Sequence, residues 1–159
     1  MKKFTIGLAA VLFVAFGCKK SSNNSSTPPG GMDASVNGQA FQASTTTGIF
    51  SASAGYIALF GIQTKGVDSS GIEVDILDTI KVGEPGLLAN GFIINYGSNT
   101  GPTYSGGDIT GHGVVTLSAW DTVNHTIAGT FSGVLYDNGL IDSVVVTNGT
   151  FNTSYTLTP

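Results

Sequence analysis

No stretch beyond the first seventeen residues shows helical periodicity with a capped start or end; apolar and polar residues alternate in short runs separated by tight-turn signals. A period of two places every second side chain on one face of a strand, so these faces must be buried against one another. Met32, Ala34 and Val36 alternate in this way, Asn37-Gly38 reads as a hairpin turn, and Phe41 and Ala43 continue on its far side. Tyr56 to Gln63 is apolar on both faces and is expected to be a central strand. Ile72, Val74 and Ile76 are expected to face inward, with Glu73 and Asp75 toward water. Gly83-Glu84-Pro85-Gly86 reads as a turn, Phe92 to Tyr96 as a strand, and the glycine-rich Gly97 to Gly113 as the longest loop.

The last third is the most regular. Val114 to Trp120 is a predicted strand, Asp121 to Asn124 a turn, and His125 to Tyr136 a returning strand with Ile127, Phe131 and Leu135 on one face. Gly129 and Gly133 share that face, as in a curved sheet that makes room for larger neighbours. Asp137-Asn138-Gly139 is a hairpin signal, and Asn148-Gly149 marks a bulge or tight turn. The final strand is expected to put Phe151, Thr153, Tyr155 and Leu157 on one side. The expected fold is all-β: an antiparallel meander of about eight to ten strands, closed as a barrel or folded as a sandwich.

The front of the chain has a different character. Lys2 and Lys3 precede an apolar run from Phe4 to Phe16, which is shorter than the roughly 20 residues that cross a bilayer. It therefore reads as a leader, residues 1–17. Ala15-Phe16-Gly17-Cys18 resembles the bacterial lipobox, at which the leader is cut and the new N-terminal cysteine is acylated. The lipid bilayer, reached through acylated Cys18, is thus the first expected partner. Each buried acyl CH₂ contributes about 0.8 kcal/mol, so two or three chains anchor a domain durably. Residues 18–31 would be the lipidated cysteine and a disordered tether, and residues 32–159 a single β domain. Lys19 and Lys20 stand beside the lipid, which leaves the periplasmic and surface faces of the membrane both open.

Charge excludes one class of partner. From Asp33 onward all ten Asp and Glu residues face only Lys65 and Lys81, a formal charge of −8, and arginine is absent. Such a surface gains nothing from phosphate, so nucleic-acid binding is not expected. Cys18 is the only cysteine, and a disulfide or catalytic role for it has no partner residue.

Catalytic candidates are sparse. His112 and His125 are the only histidines and form no metal-spaced pattern; no Gly-x-Ser-x-Gly occurs. Asp68, Glu73, Asp75 and Asp78 form the densest acidic group, with Asp108 as a candidate neighbour, but they match no calcium loop and read as a solvated face. No enzyme activity, cofactor or metal is therefore expected. Trp120, Tyr56, Tyr96, Tyr104 and Tyr136 could build an aromatic platform for sugar or another apolar-faced ligand, with Tyr104 and Trp120 the candidate ligand contacts, Tyr104 because it lies in the glycine-rich region.

Ala34 to Ala43 (ASVNGQAFQA) supplies a Val-Asn-Gly-x-x-aromatic opening; Val114, Leu117, Asp121, His125 to Ser132 (HTIAGTFS) and Val146 to Phe151 (VTNGTF) supply a second stretch. Together they resemble a family of small Bacteroidota cell-envelope lipoproteins of unknown function. Members often have Gly-x-Tyr where this chain has Gly86-Leu87-Leu88. The resemblance implies an envelope location, in the outer membrane, and a β fold, and it carries no catalytic residues. Asp78-Thr79-Ile80, Asp121-Thr122-Val123 and Asp142-Ser143-Val144 resemble the Asp-(Ser/Thr)-aliphatic acceptor of Bacteroidota O-glycosylation, which makes Thr79, Thr122 and Ser143 candidate modification sites. The reading that follows is a lipid-anchored, non-enzymatic binding or structural module with an envelope protein or carbohydrate as partner. A barrel holding a small apolar or carbohydrate ligand is the alternative, and a hydrolase a weaker one.

Overall fold

Pleated runs with one apolar face assemble here into a ring of strands around a filled interior. The computed structural model describes residues 30–87, 92–107 and 112–159. Eleven strands occur among these residues. They are β1 Gly31–Val36, β2 Gln39–Gln42, β3 Thr45–Ser51, β4 Tyr56–Lys65, β5 Asp68–Leu77, β6 Pro85–Leu87, β7 Phe92–Ser98, β8 Thr103–Gly106, β9 His112–Asp121, β10 Thr126–Asp137 and β11 Ser143–Thr158. The fold is all-β, and the strands form one sheet. Cys18 and Asp108 lie outside the described residues.

The hydrogen bonds close on themselves. From β11 the sheet runs through β3, β4, β5, β7, β8 and β10, and β10 pairs back onto β11. Two further pieces branch from this seven-stranded ring. The β1–β2 hairpin pairs with the first part of β11, and β9, carrying β6 on its outer edge, pairs with Thr126–Val134 of β10. The pairing of β11 with β3 is parallel, which corrects the expected purely antiparallel meander. Parity requires it: six antiparallel steps around seven strands bring β11 back pointing the same way as β3.

The count exceeds the expected eight to ten because β3, β6 and β8 are strands that lack clear apolar alternation. β6 sits where Gly83 to Gly86 reads as a turn, and β8 within the expected long loop. Both are held by backbone ladders to longer neighbours, β9 in one case and β7 with β10 in the other. Leu157 is also not where alternation puts it. It is 55% exposed, because β11 has by then passed the end of the core and pairs with β3 alone.

Two oppositions in the β10–β11 ladder set the curvature. Gly129 pairs with Phe151, and Phe131 pairs with Gly149, so each phenylalanine ring lies over a glycine of the other strand. The two rings meet with centroids 6.2 Å apart. A Cβ on Gly129 would fall 2.6 Å from the tip of the Phe151 ring, and one on Gly149 would fall 2.7 Å from the Phe131 ring. Asn148, with φ +51°, precedes Gly149 in the bulge predicted there, and the register of both neighbouring ladders shifts around it. Ile57, Leu59, Ile72, Val74, Ile76, Ile94, Val115, Leu117, Ile127 and Leu135 fill the interior, all fully buried. Met32 of β1 caps them, its side chain pressed onto Gly61 of β4.

Crowding a site this tight costs about 1–3 kcal/mol. Gly129→Ala is expected to lower the unfolding free energy by that amount, read as a lower urea midpoint at unchanged slope. Gly71→Ala, where the added Cβ meets only the Gly61 carbonyl at 3.6 Å, should leave the midpoint nearly unchanged.

Candidate functional site

One end of the ring is made entirely of turns, and their sequences hold them together. In the β1–β2 turn Asn37 (φ +48°) and Gly38 (φ +78°) are both left-handed, the geometry of a tight hairpin and one that asparagine and glycine tolerate. Asn37 then clasps β11: its backbone N–H donates to the Val145 carbonyl at 2.9 Å, and its Oδ1 accepts from the Val145 N–H at 2.8 Å. The β4–β5 and β7–β8 turns are joined by Asn99. Its side chain accepts from the Ser69 N–H at 3.1 Å and donates to the Val67 carbonyl at 3.2 Å. The β10–β11 turn is organised by Asp137, whose Oδ1 accepts from the N–H groups of Ile141 (2.8 Å) and Asp142 (3.2 Å).

Between these turns lies a hollow of about 450 Å³, within the roughly 300–1,000 Å³ range of small-molecule sites. Its apolar wall is Phe41, Tyr96 and Tyr104, and its polar wall is Gln39, Gln63, Lys65, Ser70 and Ser98. The two tyrosines stack, with centroids 6.3 Å apart and planes 28° apart. A smaller hollow of about 160 Å³ shares Gln63, Lys65, Ser70 and Ser98 and continues past Asp68, Ser69, Asn99 and Thr100. The two make one elongated groove. Lys65 is one of only two cations among the described residues, the other being Lys81.

Tyr104 belongs to this wall and also to the core, since it is a β8 strand residue and 8% exposed. Its hydroxyl donates to Asp142 Oδ2 at 3.0 Å. That bond, with burial and the nearby carboxylates, pushes the phenol above the ordinary tyrosine range. Trp120 is at the opposite end of the ring. Its indole N–H donates to the Tyr155 hydroxyl at 3.2 Å, and Phe50 meets it edge to face. Tyr104, beside the start of β11, and Trp120, beside its end, are therefore not brought together. Tyr96, half-buried in the groove wall, is a member of the aromatic set named from the sequence that was not singled out there as a contact. Its signal was available in the tyrosine spacing across the turn between β7 and β8, where Tyr96 pairs directly with Tyr104.

The remaining candidates are dispersed. His112 is exposed at the start of β9, and His125 packs against the Tyr155 ring beyond the far end of that strand. Among the described residues no group of three or more His, Cys, Asp or Glu side chains could hold a metal. Asp68 and Asp78 bracket β5 at opposite ends, while Glu73 and Asp75 lie mid-strand. Thr79 and Thr122 are exposed in turns, and Ser143 is half-buried at the start of β11. Next to Thr122, Asp121 Oδ1 accepts from the Val123 and Asn124 N–H groups, both at 2.9 Å. These bonds, Asn124's foremost, hold its carboxyl below the ordinary value.

Asp75 is the most perturbed acid. It sits on the outer face of the ring between Ala58 and Ile93, with Oδ1 buried and unpartnered. Burial first, and the neighbouring Glu73 second, raise its pKa from 3.8 to about 6. No other charged side chain stands opposite it on β4 or β7, which present Ala58, Phe60, Ile93 and Asn95 there.

No family model, curated protein or solved structure matches the chain.

The unfolded chain releases the Asp75 proton near 3.8 while the folded chain keeps it to about 6, so stability falls as pH rises through that window. Asp75→Asn should therefore stabilise the domain at pH 7, by about 1 kcal/mol once solvent screening is allowed for. In chemical denaturation the variant and the parent should converge below pH 3.8.

Proposed function

We propose that the chain is an outer-membrane lipoprotein of the bacterial cell envelope, held by acylated Cys18, whose β body is a non-enzymatic binding module. The observation that supports this most is the position of the groove. β1 enters the fold at Gly31, beside Asn152, and ends at Val36, beside Val146. The groove opens at the Val36 end, so a tether leading into Gly31 leaves it pointing away from the membrane. The filled interior argues for recognition at the surface and against a ligand enclosed in the barrel. The bilayer is the partner at one end, and an envelope protein or carbohydrate the partner at the other.

Cys18→Ser is expected to abolish acylation and move the protein from the membrane to the soluble fraction, read by fractionation and intact mass. A variant that still sediments with membranes would refute the anchor. The same reading puts Thr79 and Thr122 within reach of a modifying enzyme, since both are exposed on turns. Glycopeptide mass spectrometry of the native protein should find sugar on these two before Ser143, whose half-buried strand position restricts access.

A further inference from the structure

The groove at the turn end carries more chemical information than its size. It has three parts: a stacked tyrosine pair with Phe41, a set of amides and hydroxyls, and one ammonium. Of the polar groups, Gln39, Ser70, Ser98 and Lys65 have no side-chain hydrogen bond or ion pair among the described residues. Gln63 uses one amide N–H on the Gln42 carbonyl, at 3.2 Å, and keeps its oxygen free. The groove therefore presents donors and acceptors of both kinds beside an aromatic face, with a single positive charge and, farther along, a single carboxylate from Asp68.

An acyl tail would leave these amides and hydroxyls dry and unpaired, at a cost that contact with Tyr96 and the edges of the buried Phe41 and Tyr104 does not offset. A polyanion would meet one lysine on a body carrying −8. A pyranose ring matches both walls: its C–H face lies on an aromatic ring, and its equatorial hydroxyls both donate and accept. The groove also continues from the larger hollow into the smaller through four shared residues, which gives room for more than one ring in line.

We propose that this groove binds an oligosaccharide chain, with one sugar ring on the half-buried Tyr96, which the buried Tyr104 backs, and its hydroxyls on Gln39, Gln63, Ser70 and Ser98. Lys65 lines both hollows, so uronic-acid sugars gain a contact that uncharged ones lack. The inference rests on the reading of the β body as a binding module. A chain that stays on the membrane yet takes no sugar removes this inference alone. A chain that binds sugar but is never acylated removes the anchor and leaves the groove.

The test uses the full chain in detergent against a panel of uncharged and uronate-containing oligosaccharides, followed by NMR titration of the best binder. Binding should shift the Tyr96 and Tyr104 signals and leave the Trp120 indole unmoved. Tyr96→Ala should weaken affinity about tenfold or more, and Tyr96→Phe, which keeps the ring, should restore most of it. Gln39→Ala, on the exposed rim, should weaken binding severalfold with an unchanged melting temperature, which keeps the test valid if Tyr96→Ala unfolds. Lys65→Ala should remove the preference for uronates. The proposal is overturned if no sugar of either class binds at millimolar concentration. It is equally overturned if affinity is indifferent to Gln39→Ala, or if the Trp120 signal responds in place of the tyrosines.

Discussion

Two phenylalanines lying over two glycines, in opposite senses across one ladder, decide what kind of object this sheet becomes. Gly129 against Phe151 and Phe131 against Gly149 bring β10 and β11 closer on their inner face than side chains at all four positions would permit. The strands bend inward there, and the bulge at Asn148 adds twist where the register slips. A sheet bent this sharply meets its own far edge, and β3 and β8 find β11 and β10. The rings that cause the bend also occupy the space it creates. Closure and a filled interior therefore have the same cause, and any binding surface has to lie outside the ring.

The odd number of strands has its own consequence. One parallel step is unavoidable in a closed ring of seven, and here it falls on the last strand, which must pass the first strand to reach the third. β11 is accordingly sixteen residues long and changes partner midway, from β1 to β3. Its two ends define two chemically different poles. The first pole gathers the turns at Asn37, Lys65, Asn99 and Asp137, each tied to a neighbour by backbone or side-chain hydrogen bonds. The second gathers Phe50, Trp120, His125 and Tyr155.

Much of this arrangement could be read from residue order, and the remainder could not for identifiable reasons. Alternation located β1, β5, β9 and β10, and Asn37-Gly38 and Asn148-Gly149 marked a hairpin and a bulge that are both present. Those signals are local, arising from side chains that report their own burial or from backbone conformations that few residues tolerate. β6 and β8 left no such trace, because three or four residues joined to a longer strand need only free backbone groups. The parallel pair was invisible for another reason. It follows from ring parity, a property of the whole strand count that no single segment records. The groove failed to appear for the same reason: Gln39, Lys65 and Tyr96 come from three separate turns or strands and meet only after closure.

The two poles also explain why an aromatic residue singled out by type alone is a poor guide to recognition. At the far pole the polar atoms of the aromatics are already committed: the Trp120 N–H is held by Tyr155, and the Tyr155 hydroxyl also contacts the Asp121 carbonyl, at 3.5 Å. Phe50 meets Tyr155 in an edge-type contact, His125 packs against it at a tilt, and the residue is 5% exposed, so little of its ring is left for a ligand. At the turn pole the Tyr104 hydroxyl is committed to Asp142 and one Gln63 amide N–H to Gln42, while the Gln39 amide and the Ser70 and Ser98 hydroxyls make no side-chain hydrogen bond. A rigid ring beside unspent hydrogen-bonding capacity is preorganised for a ligand; a rigid ring among satisfied neighbours is a structural clamp. Trp120 is the clamp that joins the end of β11 to β9, whereas Tyr96 and Tyr104 stand beside side chains that still have hydrogen bonds to make.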